Sequence, residues 1–228
     1  MVLQRVTFPV LSTIQDEENR LISSYRRIVR LSSFIVFPIM TLIAAVADPL
    51  IRILLTDKWE ECILLLQLLC FSRILRPIHS VNVNILYVKG RSDIALKAMI
   101  VKKIITFTLM LSVLPLGIVY FVSSEILCSF LILFVNVYYA GKVIDVSFGK
   151  QLRDIMPFYI LSIAMFIVVL LFVMIIPNSY VQLIIGTLLG CTLYIAGAKL
   201  FKFEEREDVL NLMPASVREN RYIQYILR

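Results

Sequence analysis

From Ile155 to Ala198 the sequence runs for two helix lengths without a charged side chain, interrupted only by the turn-forming Pro177-Asn178-Ser179. A stretch of that length has no place in a small water-soluble domain. It matches two crossings of a lipid bilayer, each of which needs about 20 apolar residues folded as a helix so that every backbone N–H and C=O is bonded internally. The whole chain agrees, with 60% apolar residues, 17% charged residues and a mean hydropathy of +0.88 over 228 residues. Seven glycines, eight prolines and no low-complexity tract exclude a disordered or collagen-like protein. The four cysteines, Cys62, Cys70, Cys128 and Cys191, lie in apolar stretches without CxxC spacing, which predicts neither a disulfide framework nor a zinc site. His79 is the one histidine, so a site built from several imidazoles is excluded.

The fold class expected is all-α, a polytopic membrane protein with six transmembrane helices. Charges and turn residues divide residues 31–198 into spans near 31–55, 62–88, 94–114, 118–141, 156–176 and 180–198. Leu114-Pro115-Leu116-Gly117 makes the hairpin between the third and fourth, since proline fixes the backbone and glycine accepts positive φ. Residues 1–30 read as the cytoplasmic end of a preceding helix and a connecting segment, with Met1 to Ile14 as its last turns. They lack the continuous apolar core and cleavage site of a signal peptide. Residues 199–228 read as a cytoplasmic tail, a surface helix or a partner-docking segment ending in Tyr222-Ile223-Gln224-Tyr225. Counted on alternate loops, nineteen lysines and arginines fall on one side and only Arg52 and Lys58 on the other. By the positive-inside rule both termini are cytoplasmic. The net charge of +7 is thereby explained by topology, and no nucleic-acid partner is needed.

The second span carries the anomaly. Arg73 and Arg76 lie near its middle, where each costs on the order of 3 kcal/mol to insert and must face protein or water. At about 100° per residue, Arg76, Ser80, Asn84 and Tyr87 all fall within roughly 60° of Arg73, a polar and cationic stripe. Pro77 is expected to kink the helix and free the carbonyl near Arg73. Two readings stand side by side: the guanidinium groups pair with a carboxylate such as Glu125, or they line an aqueous cavity and hold an anion in bidentate fashion. Lys102 and Lys103, two turns into the third span, either extend that cationic wall or snorkel to the headgroups. Glu125 is a salt-bridge partner or an ion-coupling site. His79 reads as a hydrogen-bonded packing residue, and Trp59 as part of an interfacial aromatic belt. No phosphate-binding glycine loop, no Ser/His/Asp set and no dry carboxylate pair is present, so no catalytic residue, metal or cofactor is expected and the chain is not read as an enzyme.

Three stretches carry a family resemblance. They are Phe8-Pro9-Val10-Leu11-Ser12 running into Gln15-Asp16 and Arg20-Leu21; Phe37-Pro38 through Ala47-Asp48-Pro49-Leu50 to Leu54-Leu55-Thr56-Asp57-Lys58-Trp59; and Leu64-Leu65-Leu66-Gln67 through Arg76-Pro77 to Lys89-Gly90-Arg91-Ser92-Asp93. Over roughly the first hundred residues the chain resembles the bacterial polysaccharide transporters, or oligosaccharide flippases, of the superfamily that includes the MATE exporters. The resemblance implies a two-lobed protein of about twelve to fourteen helices. Such a protein moves a lipid-linked oligosaccharide on undecaprenyl pyrophosphate across the bacterial inner membrane by alternating access, for lipopolysaccharide, exopolysaccharide or capsule. This chain is half that length and looks like the C-terminal half, which implies a missing N-terminal lobe. The other partners implied are membrane lipids and, beside the transporter, a glycan polymerase and assembly proteins. Arg73, Arg76, Ser80, Asn84, Lys102 and Lys103 are the expected substrate wall. The alternatives are a MATE-type drug or cation antiporter, which would favour buried acids, and a non-transporting assembly subunit.

Overall fold

The computed structural model describes residues 11–212, and the expectations placed on 1–10 and on the tail beyond 212 lie outside the described residues. Residues 11–13 are helical. After them come α1 (Glu18–Ala45), α2 (Ala47–Leu55), α3 (Glu61–Arg73), α4 (Arg76–Val88), α5 (Ser92–Val113), α6 (Ile118–Ala140), α7 (Phe148–Ile175), α8 (Ser179–Leu200) and α9 (Glu205–Leu212). Among the described residues there is no strand, and six helices are long and apolar enough to cross a membrane, with α3 and α4 forming one of them.

The first span begins earlier than the charges suggest. Arg26, Arg27 and Arg30 are carried inside α1, which starts at Glu18. It also ends earlier, at Ala45, because Pro49 has no N–H to give the Ala45 carbonyl and its ring crowds that oxygen. Pro38 does not stop α1. The carbonyl of Phe34, deprived of its helical donor by Pro38, accepts instead from the Tyr194 hydroxyl of α8 at 2.8 Å. In lipid such a replacement is what lets proline stay inside a span. The turn between α7 and α8 is closed similarly. Asn178 caps the α8 N-terminus, accepting from the amides of Tyr180 and Val181, while Gln182 Nε2 donates to the Val173 and Ile176 carbonyls at 2.9 and 2.5 Å. At the α5–α6 tip, Gly117 takes φ 105°, as the Leu-Pro-Leu-Gly hairpin requires.

Packing places α1 at the centre, against α7 on one side and α3 and α4 on the other, with α8 beyond α7 and α5 beyond α6. The buried positions of α7 (Gln151, Ile155, Phe158, Ser162, Met165, Val169, Val173) recur every three or four residues, so one stripe faces α1. On α8, Gly190 sits where an added Cβ would collide with the Leu42 side chain, and this small residue lets α8 close on α1. Phe34, Phe158 and Phe203 meet edge to face beneath the loop that follows α8. By contrast α5 buries little of itself and shows Leu96, Met99, Ile104, Phe107 and Leu111 outward. Such a face belongs against lipid or another protein surface.

The helix ends on one face are tied by ions. Arg26 of α1 grips Asp154 of α7 through two hydrogen bonds of 2.7 and 2.6 Å, Arg27 pairs with Asp208 of α9, and Arg30 meets Glu205 at 2.5 Å. The start of α1, the start of α7 and the segment after α8 therefore share one face of the bundle.

Candidate functional site

Arg73 closes α3 and Arg76 opens α4, with Ile74 and Leu75 forming the turn between them. Pro77 explains the break, because it cannot donate to the Arg73 carbonyl four residues back. The break lies about 18 Å along the Glu61–Val88 span, close to its middle. Both arginines thus sit near the middle of that apolar span, on either side of a bend in the helix.

Arg73 Nη2 lies 2.8 Å from Glu125 Oε2 on α6, and the two side chains keep 43% and 30% of their surface exposed. Arg76 is exposed, and among the described residues no carboxylate pairs with it. Glu125 is therefore the partner of Arg73 and not of Arg76. The half-buried Lys102 of α5 adds a third cation, and both it and Arg76 act electrostatically on His79. His79 itself is spoken for: Asn136 Nδ2 lies 3.3 Å from Nδ1, and Nε2 is 3.2 Å from the Ser129 hydroxyl. Through these two contacts His79 bridges α4 and α6.

The remaining expected wall residues spread apart. Ile74 and Leu75 keep right-handed helical dihedrals, so the helix bends between Arg73 and Arg76. Ser80 is half-buried, while Asn84 is buried at 3% exposure in the α4 core face. Lys103, one residue round α5 from Lys102, faces an open groove of about 420 Å³ lined by Met99, Ile100, Ile104, Phe107 and Leu111. The residues brought together are Arg73, Arg76, Glu125, His79 and Lys102.

A second polar cluster has no counterpart in the sequence reading. The Tyr25 hydroxyl of α1 donates to Asn82 Oδ1 at 2.6 Å, Asn82 Nδ2 donates to the Ile78 carbonyl at 3.0 Å and to Gln151 Oε1 at 3.4 Å, and Gln151 Nε2 donates back to the Tyr25 oxygen at 2.9 Å. All three side chains are buried, and they join α1, α4 and α7. Beside them Arg26, Arg27 and Arg30 line a polar cleft of about 680 Å³ with Ser23, Glu204, Glu205 and Asp208. The Arg27 guanidinium holds the Asp208 carboxyl below the usual carboxylate range. On the opposite face Arg52 is gripped by Asp48, Asp57 and Glu60 at 2.8 to 3.0 Å, an arrangement that keeps its guanidinium more firmly protonated.

Part of the chain is similar to known proteins. Residues 1–64 match the sequence model of the family described as "Polysaccharide biosynthesis protein". The chain is 29% identical over 104 residues to an uncharacterized membrane protein in the cps region of Klebsiella pneumoniae, which is 46% of this chain and 21% of that one. It is 29% identical over 96 residues to the lipopolysaccharide biosynthesis protein WzxC of Escherichia coli (strain K12), covering 42% and 20%. Against the teichuronic acid biosynthesis protein TuaB of Bacillus subtilis (strain 168) it is 26% identical over 94 residues, covering 41% and 20%. The matches span about a fifth of the length of these curated relatives. No solved structure matches the chain. Six helices apolar enough to cross a membrane and these similarities support a multi-pass membrane protein, part of which is similar to polysaccharide biosynthesis proteins such as WzxC.

Proposed function

We propose that the chain forms part of a transporter that carries a glycan, linked to undecaprenyl pyrophosphate, across the bacterial inner membrane by alternating access. The observation that carries this reading is the surplus of positive charge at the break in the second span. Arg73, Arg76 and Lys102 supply three positive charges and Glu125 one negative, leaving two. A pyrophosphate diester carries about two negative charges and presents oxygens to a bidentate guanidinium. Arg76, which no described carboxylate engages, makes the first contact. Arg73 follows by exchanging the Glu125 carboxylate for a phosphate oxygen, so that Glu125 holds the cation when no anion is bound. The sugars occupy the wet side of this wall and the polyprenyl chain stays in lipid. No covalent step is involved, and in this reading the protein is not an enzyme.

A drug or cation antiporter would need a free carboxylate deep in a span, and Glu125 is engaged by Arg73. An assembly subunit without transport would have no use for an unpaired mid-membrane arginine. Proteoliposomes holding this chain, together with the polypeptide that completes the transporter, and a fluorescent lipid-linked oligosaccharide in one leaflet provide the test. Arg76→Glu should abolish movement of the label between leaflets while membrane insertion is retained. Undiminished movement in that variant would overturn the proposal, and efflux of a cationic dye instead would favour the antiporter.

A further inference from the structure

A groove of about 680 Å³ runs along the outer side of α7, walled by Leu152, Met156, Pro157, Ile160, Leu161 and Ala164 and, across the gap, by Phe201 and Phe203 after α8. None of its lining comes from α3, α4, α5 or α6, so it is separate from the break in the second span. Its wall is apolar except at one end, where Arg153 stands. Most other arginines on this face have an acid: Arg20 has Glu17, Arg26 has Asp154, Arg27 has Asp208, Arg30 has Glu205 and Arg91 has Asp93. Arg153 is exposed, and among the described residues no carboxylate pairs with it. A second polar group lies at the same end, since Pro157 has no N–H to donate to the Arg153 carbonyl. Where Pro38 creates the same orphan in α1, Tyr194 takes it.

The dimensions are those of one leaflet. From Arg153 to Ala164 the helix rises about 16 Å, and half of the hydrocarbon core is about 15 Å thick. Arg153 lies two residues before the long charge-free run of α7, which puts it at the depth of the headgroups, and the groove descends from it toward the bilayer midplane. A guanidinium donor and a freed carbonyl acceptor at the headgroup level, above an apolar trough one leaflet deep, fit an amphiphile with an anionic head that also carries hydroxyl groups.

We infer that the groove between α7 and the Phe201–Phe203 segment is a binding site for an anionic phospholipid of the surrounding bilayer, of the phosphatidylglycerol type. The phosphate lies on Arg153, the glycerol hydroxyls meet the Arg153 carbonyl, and one acyl chain follows Met156, Ile160 and Ala164. The site fastens lipid to the α7–α8 side of the bundle, and it stands or falls independently of glycan transport.

The test is native mass spectrometry of the full chain released from micelles doped in turn with phosphatidylglycerol and phosphatidylcholine of the same acyl chains. The unaltered protein should retain phosphatidylglycerol in preference to phosphatidylcholine. In Arg153→Gln that preference should fall roughly fivefold, the effect of one basic residue on an anionic lipid surface, and Arg153→Lys should keep most of it. Ala164→Trp, which fills the trough, should reduce retention of both lipids, and Lys103→Gln, in the α5 groove, should change neither. Circular dichroism of each variant shows that the helices are intact. A preference unchanged in Arg153→Gln would overturn the inference. So would displacement of phosphatidylglycerol by an equimolar polyprenyl phosphate, which would assign the trough to a substrate tail.

Discussion

On the face that carries the start of α1, Arg26, Arg27 and Arg30 each have a carboxylate of their own, brought by α7 or α9. At the break in the second span Glu125 pairs with Arg73, and among the described residues no carboxylate pairs with Arg76. The first arrangement is what ion pairs look like when they fasten helices together: each partner comes from a different element, and the carboxylates of Asp154 and Glu205 are nearly buried. The second leaves charge unbalanced at the depth where it is most expensive. An apolar residue in place of Arg76 would insert more favourably. If Arg76 holds an anion as proposed, the two regions should respond oppositely to the same kind of substitution.

The widest separation should come from two neutralisations. Arg76→Gln is expected to lower transport of a lipid-linked oligosaccharide on the order of a hundredfold, the effect of about 2.7 kcal/mol lost at a charged contact, with thermal stability in detergent unchanged or raised. Arg26→Gln should do the reverse. It leaves the Asp154 carboxylate without its bidentate partner and should cost about 2 kcal/mol of stability, while transport per folded molecule stays as it was. If Arg76→Gln loses stability and keeps transport, the mid-membrane charge is part of the scaffold and the contrast collapses.

Asn82→Leu sharpens the same contrast from the side of the fold. The leucine would leave the Tyr25 hydroxyl and the Gln151 amide short of a partner in a dry interior, at a cost of about 2 kcal/mol. The loss should appear as a lower unfolding temperature by circular dichroism, and a neutral outcome would mean that water reaches the cluster.

A smaller effect is expected at the mid-span pair itself. Arg73→Gln and Glu125→Gln, singly and together, form a cycle whose coupling should be about 1 kcal/mol or less, because both side chains remain partly exposed. A coupling several times larger would show that the pair is a sealed structural bond and would remove Arg73 from the anion wall.

How much of this was readable beforehand depends on the range of each interaction. The six spans were legible because hydropathy and turn residues act locally, as in Ile155 to Ala198 and Leu114 to Gly117. So was the break near Arg73, since proline acts on a carbonyl four residues away. That α1 already begins at Glu18, with Arg26, Arg27 and Arg30 inside it, was not legible, because the acids that pair with them are more than a hundred residues away in sequence. The stripe joining Arg73 to Asn84 rested on helical spacing alone, which does not tell that Asn84 lies in the buried core face of α4. Asn82 escaped notice for a related reason. On a straight helix it lies about 180° from Arg73, on the face assigned to packing, and its partners Tyr25 and Gln151 stand 57 and 69 residues away. Periodicity gives a polar side chain its face but says nothing of which distant helix will meet it.

The smallest effect concerns the hold of α9 on α1. Asp208 has its carboxyl depressed by Arg27, so the carboxylate form is favoured in the folded state. A depressed folded value means that the contribution is present above the unfolded carboxylate pKa of about 3.9 and is lost as pH falls through the lower folded value. The Arg27 side chain is largely exposed, so the pair is worth about 0.5 kcal/mol and is weakened by salt. Hydrogen exchange of the amides of 205–212, normalised to intrinsic rates, should therefore be nearly flat from neutral pH down to about pH 4 and lose protection below it. Asp208→Asn should show that small loss at every pH, and Glu205, still bound to Arg30, should keep the helix from detaching altogether. Wild-type exchange that is already fast at neutral pH and indifferent to salt would mean that α9 is not held by these ions. The clasped face would then resemble the break in the second span, with arginines whose partners are elsewhere.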